Sequence, residues 1–481
     1  MTRYAAPGRP GSPVSCRERY DHFIGGEHVP PTRGGYFANA SPVTGEVFTE
    51  VARGTAEDVD RALDAAHGAA RAWGRTSAAE RANVLDEVAD RVEDHLEALA
   101  VAETWDNGKP VREALTADLP AVVDHFRRFA GVVRAAEGGV ARLDADRVAY
   151  RFPEPLGVVG LVVPWDFPLP AAAWRLAPAL AAGNAVVLKP SERTPASIHV
   201  LLDVIADLLP PGVVNVVNGF GDEAGAPLVS SPRVARIGST GGTADRHAGG
   251  KSPNVFFADV VAHRDAFRDK ALEGFAMFAF NQGEARTCPS RALIQSSAYE
   301  EFLADAVERT GAMRQGDPLD TATMVGALVD AEQVAAVLAH VGTGRREGAR
   351  LVCGGERADP GGELSGGCYV APTVFEADHK MRVFQEDVFG PVVSVTRFDD
   401  VDDAVKIVND APRGPGAGVW SRDGGQAHRV GREIRADRVW VNDHQPHPAF
   451  GGWADHRALL DRYQRAKQVL VSYSAGARGL F

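Results

Sequence analysis

From Gly157 onward the sequence alternates short β-branched runs with Ala-rich segments, and this alternation restricts the fold more than any other feature. Val158 to Val163, Ala185 to Leu188 and Val213 to Val217 read as strands, with helices expected at Ala171 to Ala182 and Pro195 to Leu209 between them. Such a series builds a parallel sheet with helices on its faces, and ligands sit beyond the carboxyl ends of the strands. The turns that can carry chemistry are therefore Pro164 to Pro168, Lys189 to Thr194 and Asn218 to Gly221. A second α/β region is expected from about Asn254 to Asp443, with helices at Asp265 to Phe280, Tyr299 to Arg314 and Asp330 to Glu347. Upstream, Thr55 and Asp58 cap a helix running to Trp73. Ser77 and Glu80 form a capping box for a second helix, expected to continue until Asn107-Gly108-Lys109-Pro110 stops it.

Length and charge narrow the function. A chain of 481 residues has room for two or three domains at about 150 residues each. Its net charge of −12 argues against nucleic acid as a partner. The most apolar stretch, Leu156 to Leu188, is broken by Pro164, Asp166, Pro168, Pro170, Arg175 and Pro178, so no membrane span is expected. Met1 to Tyr20 lacks the apolar core of an export signal, and a cytoplasmic location is expected. The four cysteines, Cys16, Cys288, Cys353 and Cys368, form no Cys-x-x-Cys pair, so neither a disulfide framework nor a metal site is expected.

At the turns the sequence resembles the aldehyde dehydrogenase superfamily. The likeness rests on Pro164-Trp165-Asp166-Phe167-Pro168, Leu188 to Pro195, Pro210 to Val217, Gly249 to Asn254 and Phe389-Gly390-Pro391. Tyr20 to Gly26, Glu103 to Pro110 and Phe278 to Arg291 fit the same family in order. The resemblance implies an α/β fold with a Rossmann-type parallel-sheet cofactor domain (18–133 and 153–253), an α/β catalytic domain (254–443), and an oligomerisation arm with a C-terminal segment (134–152 and 444–481). It also implies NAD(P)-dependent oxidation of an aldehyde to an acid by a homodimer or homotetramer. In that reaction a thiolate adds to the carbonyl, oxyanion donors hold the alkoxide, and a carboxylate activates water.

Set against the family's motifs, three of these groups are replaced. Arg286 stands where the family has its nucleophilic cysteine, and a guanidinium cannot attack a carbonyl. Cys288 follows two positions on; on extended backbone it would lie too far away for attack. Asp166 stands where the family's oxyanion asparagine belongs, and an ionised carboxylate only accepts hydrogen bonds. His247 occupies the position of the glutamate base. After Gly238-Ser239-Thr240 the helix that faces the pyrophosphate in relatives is shortened away, leaving Arg246 as a loop charge in reach of a phosphate. A second shortening follows Val439 to Asn442, where Phe450-Gly451-Gly452-Trp453 passes directly to Ala454-Asp455-His456-Arg457. His444, His447 and His456 match no zinc spacing and read as solvated loop histidines.

Part of the cofactor site is retained. By resemblance Lys189 and Glu192 meet the adenosine ribose and favour NAD over NADP, Asp387 takes the place of the family glutamate on the nicotinamide ribose, Phe389 lines that pocket, and Trp165, Gly238 and Ser239 are further cofactor-binding candidates. NAD binding is expected to be weakened. The sequence is thus read as a degenerate member, inactive or weakly active, acting as a hetero-oligomer partner of an intact paralogue or as a binding protein. Two alternatives stay open: a divergent active dehydrogenase using Cys288 and His247, and a decayed coding sequence. Arg286 and Asp166 are expected to form a buried ion pair where catalysis used to be.

Overall fold

The structure is a computed structural model that describes residues 2–239, 251–445 and 456–477. Two large sheets carry the site. The first orders its strands as Arg236–Ser239, Val158–Val162, Ala185–Lys189, Val214–Val216, His22–Ile24 and Glu27–Val29. Its first four strands are parallel, and the two N-terminal ones complete it antiparallel. Valine and leucine at seven of the ten positions of Val158–Val162 and Ala185–Lys189, with nine of the ten residues buried, are what a sheet covered by helices requires. The helices Pro168–Ala181 and Ala196–Ile205 provide that cover.

The second sheet has seven strands, in the order Arg350–Cys353, Thr373–Glu376, Val392–Phe398, Arg291–Gln295, Pro253–Phe256, Ala417–Trp420 and Val439–Val441. All its pairings are parallel except that of the Arg350–Cys353 edge strand. A third, three-stranded sheet pairs Gln464–Ser472 with Arg147–Pro155 and Gly139–Arg142. It leaves Val140, Phe152, Val469, Leu470 and Tyr473 exposed. Among the described residues no helix is long and apolar enough to cross a membrane.

The strand-helix alternation emerges as expected, with the helix after the first central strand beginning at Pro168, where proline tolerates the first turn. Thr55 caps the helix Ala56–Trp73 with its capping box formed. The second upstream helix differs from expectation: it ends at Asp94, and a separate helix Leu96–Asn107 follows. The interruption is His95, whose Nδ1 bonds the Arg91 carbonyl at 2.8 Å, the acceptor its own N–H would use in a continuous helix. Its N–H turns to the Val92 carbonyl instead.

The strand Arg236–Ser239 is the edge of the first sheet, with Ala235 and Arg236 exposed. The segment 240–250, which contains Thr240, Thr243, Arg246 and His247, lies outside the described residues, as do His447 and Phe450 to Asp455.

Candidate active site

The turn after Val158–Val162 and the loop before Arg291–Gln295 face each other across the gap between the two large sheets. The loop is held in an unusual backbone shape. Asn281 and Gln282 have φ of 48° and 54°, and Gly283 follows at 73°. Left-handed backbone at two successive non-glycine residues is costly and persists only where the surroundings fix it. Here the Asn281 N–H donates to Glu113 at 2.9 Å, and its Nδ2 donates to the Asp166 and Glu284 carbonyls at 3.0 and 3.1 Å. Glu284 accepts the Val329 N–H at 3.1 Å. A Cβ on Gly283 would overlap the Gly390 carbonyl, so the glycine lets this loop touch the one bearing Asp387 and Phe389.

Below the turn lies a buried charge cluster that the sequence reading passed over. Lys109 is fully buried and donates to Asp118 at 2.7 Å, with Glu103 at 3.5 Å. Its ammonium also sits 4.5 Å from the centroid of the Phe167 ring, next to Asp166. Glu103 accepts the Leu169 N–H at the start of the following helix. The signal was present in Glu103 to Lys109: charges inside an otherwise buried helix end require partners. Burial pushes the Glu103 carboxyl up to about 8, against the pull of Lys109. The unfolded chain ionises this group near 4.5, so its contribution to stability falls as pH rises between those two values. Glu103→Gln removes that loss. Urea unfolding is expected to show the variant gaining on the native chain from about pH 4.5 to about pH 8 and levelling off above.

The expected site residues lie as follows. Trp165 packs edge-on against Phe389 with ring centroids 5.6 Å apart, and Phe167 stacks with Phe280 at 6.5 Å. Half-buried Arg286 places its Cζ 5.9 Å from the Phe389 centroid. Asp166 is half-buried, with Oδ1 enclosed and lacking a hydrogen-bond partner among the described residues. Burial pushes its carboxyl up, opposed by the nearby Arg286 and Lys109. The expected buried ion pair is not formed: among the described residues no ion pair involves Asp166. The Arg286 guanidinium lies instead beside the Phe389 ring.

Cys288 is not on extended backbone. Its N–H bonds the Ala285 carbonyl in a tight turn, and its Sγ donates to the Phe280 carbonyl at 3.3 Å, packed with Phe167 and Ala285 at 4% exposure. Burial raises the thiol far above the usual cysteine range, which removes thiolate character. Iodoacetamide at neutral pH is expected to leave Cys288 unmodified in the folded chain and to alkylate it after unfolding, as peptide mapping would show.

At the carboxyl end of Ala185–Lys189, Lys189 donates to Glu192 at 3.0 Å and to the Pro190 carbonyl at 2.8 Å. Lys189 is buried and Glu192 is about a third exposed. Gly238 sits on the exposed edge strand, where a Cβ would meet the Tyr463 hydroxyl at 2.8 Å. Ser239 ends that strand. Asp387 stands exposed at the mouth, attracted by Lys251, Arg286 and Arg291. His444 corrects the solvated-histidine reading: it is buried, its ring nitrogens bonded to Asn254 Oδ1 at 2.9 Å and the Thr287 carbonyl at 2.8 Å. It is a strut behind the loop. His456 lies against His125 and Phe129. No cluster of metal-ligating side chains is found among the described residues.

The model of the aldehyde dehydrogenase family matches residues 28–457. The chain belongs to the aldehyde dehydrogenase family. It is 59% identical to a fluoroacetaldehyde dehydrogenase of Streptantibioticus cattleyicolor, with all of both chains covered. It is 57% identical to acetaldehyde dehydrogenase 2 of Cupriavidus necator, over 97% of each chain. Among solved structures, an NAD+ complex of an aldehyde dehydrogenase from Bacillus cereus superposes with a TM-score of 0.89 at 33% identity, covering 98% of this chain and 100% of that one. The first of these alignments runs over 507 positions against the 481 residues here, so about 26 positions of that family member have no counterpart.

Proposed function

We propose that this chain keeps the aldehyde dehydrogenase scaffold and its nucleotide-ribose turn without the family's covalent oxidation of an aldehyde. The observation that carries the reading is the loop Asn281 to Ser290: the side chain beside Phe389 is a guanidinium, and the thiol of that loop, Cys288, is packed inward on the Phe280 carbonyl. Asp166 adds a carboxyl oxygen where an amide donor would stabilise an alkoxide, and loss of one such donor costs about 100- to 1,000-fold in rate. The positions without counterpart in the relatives' alignment accord with the two shortenings read at residues 240–250 and after Trp453. The alternative, a divergent dehydrogenase attacking through Cys288, is opposed by that thiol's burial and its hydrogen bond.

NAD fits the residues that remain at the ribose. The Lys189–Glu192 pair offers a donor and an acceptor at the carboxyl end of a parallel strand, the chemistry a ribose diol needs. The NAD+ complex of the Bacillus cereus relative supports the assignment. When bound, NAD would supply a hydride acceptor. Trp165 and Phe389 would wall the nicotinamide end, with Asp387 at its mouth and Gly238 and Ser239 on the strand leading to the pyrophosphate. His247 remains the candidate for the base position.

The first large sheet is assigned as the cofactor domain, the second as the catalytic domain, and the three-stranded sheet as the arm. The arm's exposed Phe152, Val469 and Leu470 support an oligomer, either of like chains or with an intact paralogue. A cytoplasmic setting accords with four cysteines in no paired motif. The test is absorbance of reduced nicotinamide with purified chain, NAD and a panel of aldehydes. No rise above the protein-free rate is expected, while NAD at about 100 times its dissociation constant adds about 2.7 kcal/mol of stability. A rise that disappears in Cys288→Ala would establish the divergent enzyme instead.

A further inference from the structure

We propose that Asp106 and Asn107, consecutive residues at the end of the helix Leu96–Asn107, are positioning residues for the nucleotide. Asp106 sets the ribose turn Lys189 to Thr194, and Asn107 sets the turn that carries Trp165. The proposal rests on the reading that NAD meets those two turns, and it names the side chains that hold them in place.

Asp106 is fully buried and comes from outside the turn it serves. The helix Ala196–Ile205 starts where the ribose turn ends, and its cap position is Pro195, which offers no side-chain acceptor. The N–H groups of its first turn therefore need an acceptor from elsewhere. Asp106 Oδ2 accepts the Ser197 N–H at 2.8 Å, while Oδ1 accepts Asn39 Nδ2 at 2.8 Å. A carboxylate at a helix N-terminus holds these groups more strongly than a neutral acceptor would. A second tie on the turn, Arg193 to Asp330 and Glu332, is partly exposed and correspondingly weaker.

Asn107 is equally buried, and its Nδ2 donates to the Trp165 carbonyl at 2.8 Å. The two turns follow Val158–Val162 and Ala185–Lys189, which are paired neighbours in the first sheet. Consecutive side chains on a helix diverge by about 100°, so a single helix end reaches both. That end is itself anchored by the loop before the helix Ala331–Arg346. Gly108 closes the helix at φ 91°, its carbonyl accepts the Ala327 N–H at 3.0 Å, and a Cβ at Gly108 would overlap the Ala327 carbonyl. The spacing between the adenosine and nicotinamide ends is set by this anchored pair of side chains.

Calorimetric titration with NAD and with AMP, which carries the adenosine ribose alone, tests the proposal alongside urea unfolding of each variant. Asp106→Ala removes the acceptor and is expected to weaken both ligands at least about tenfold. Asp106→Asn, whose amide oxygen can still face the Ser197 N–H, is expected to recover both to within about threefold of the native chain. Asn107→Ala is expected to weaken NAD at least about tenfold while AMP stays within about twofold. A role confined to stability would move the unfolding midpoint and treat the two ligands alike. Loss of AMP in step with NAD in Asn107→Ala, unchanged affinities in either alanine variant, or no recovery in Asp106→Asn overturns the proposal, and Asn107→Ala decides even where Asp106→Ala misfolds. Failure of the native chain to bind either ligand would instead overturn the ribose-site reading, and the proposal with it.

Discussion

Arg286→Cys combined with Asp166→Asn is expected to make the loop Asn281 to Ser290 one that p-nitrophenyl acetate acylates. Position 286 is half-buried at the Phe389 edge, unlike Cys288, which is packed inward. A thiol placed there faces the gap between the loops, and the asparagine amide restores a donor toward the oxyanion. The thiolate adds to the ester carbonyl, p-nitrophenolate leaves, and an acetyl thioester remains. A burst of about one equivalent of p-nitrophenolate is expected, followed by slow turnover, the pattern of an accumulating acyl-enzyme. With Asp166 retained, Arg286→Cys alone should acylate about 100- to 1,000-fold more slowly, because one oxyanion donor is missing. Acylation of the native chain at the rate of the double variant would show that these two side chains are not what silences that loop.

The largest effect on stability is expected at Lys109. Its ammonium is fully buried between Asp118 and Glu103 and supports the ring of Phe167. Lys109→Met keeps the volume and strands two carboxyl groups in the interior, at a cost of about 3–5 kcal/mol. Replacing the acids as well, in Lys109→Met with Glu103→Gln and Asp118→Asn, should recover most of that loss, since charges left without partners dominate the penalty. The midpoint of urea unfolding checks both. An unchanged midpoint in Lys109→Met would mean that the cluster carries little of the fold's stability.

The sequence reading succeeded where structure is local and failed where it depends on what lies across a gap. Strands and helices from Val158 to Val217 were legible because each run of valines or alanines reports its own burial, and the capping residues Thr55 and Ser77 stand at the ends they terminate. The break at His95 was not legible: the apolar spacing continues on both sides, and only the ring's bond to the Arg91 carbonyl interrupts the ladder. The turns that form the site could be placed from their position after strands, and the family's motifs located Arg286 and Asp166 within them. Their separation could not be read, because it depends on the angle between two loops from different sheets. His444 was misjudged for the same reason. Its partners, Asn254 and the Thr287 carbonyl, are distant in sequence, so a polar loop gave no sign of a buried strut. Lys109 was taken as part of a helix stop, although its charge among buried neighbours was a signal that partners must exist.

One short segment, Asn281 to Ser290, carries both the guanidinium beside Phe389 and the inward-packed thiol. The most direct measurement is peptide mapping by mass spectrometry of the native chain after exposure to p-nitrophenyl acetate. The account predicts no acetyl group on any side chain between Phe280 and Arg291. Stoichiometric acetylation of Cys288 would contradict it.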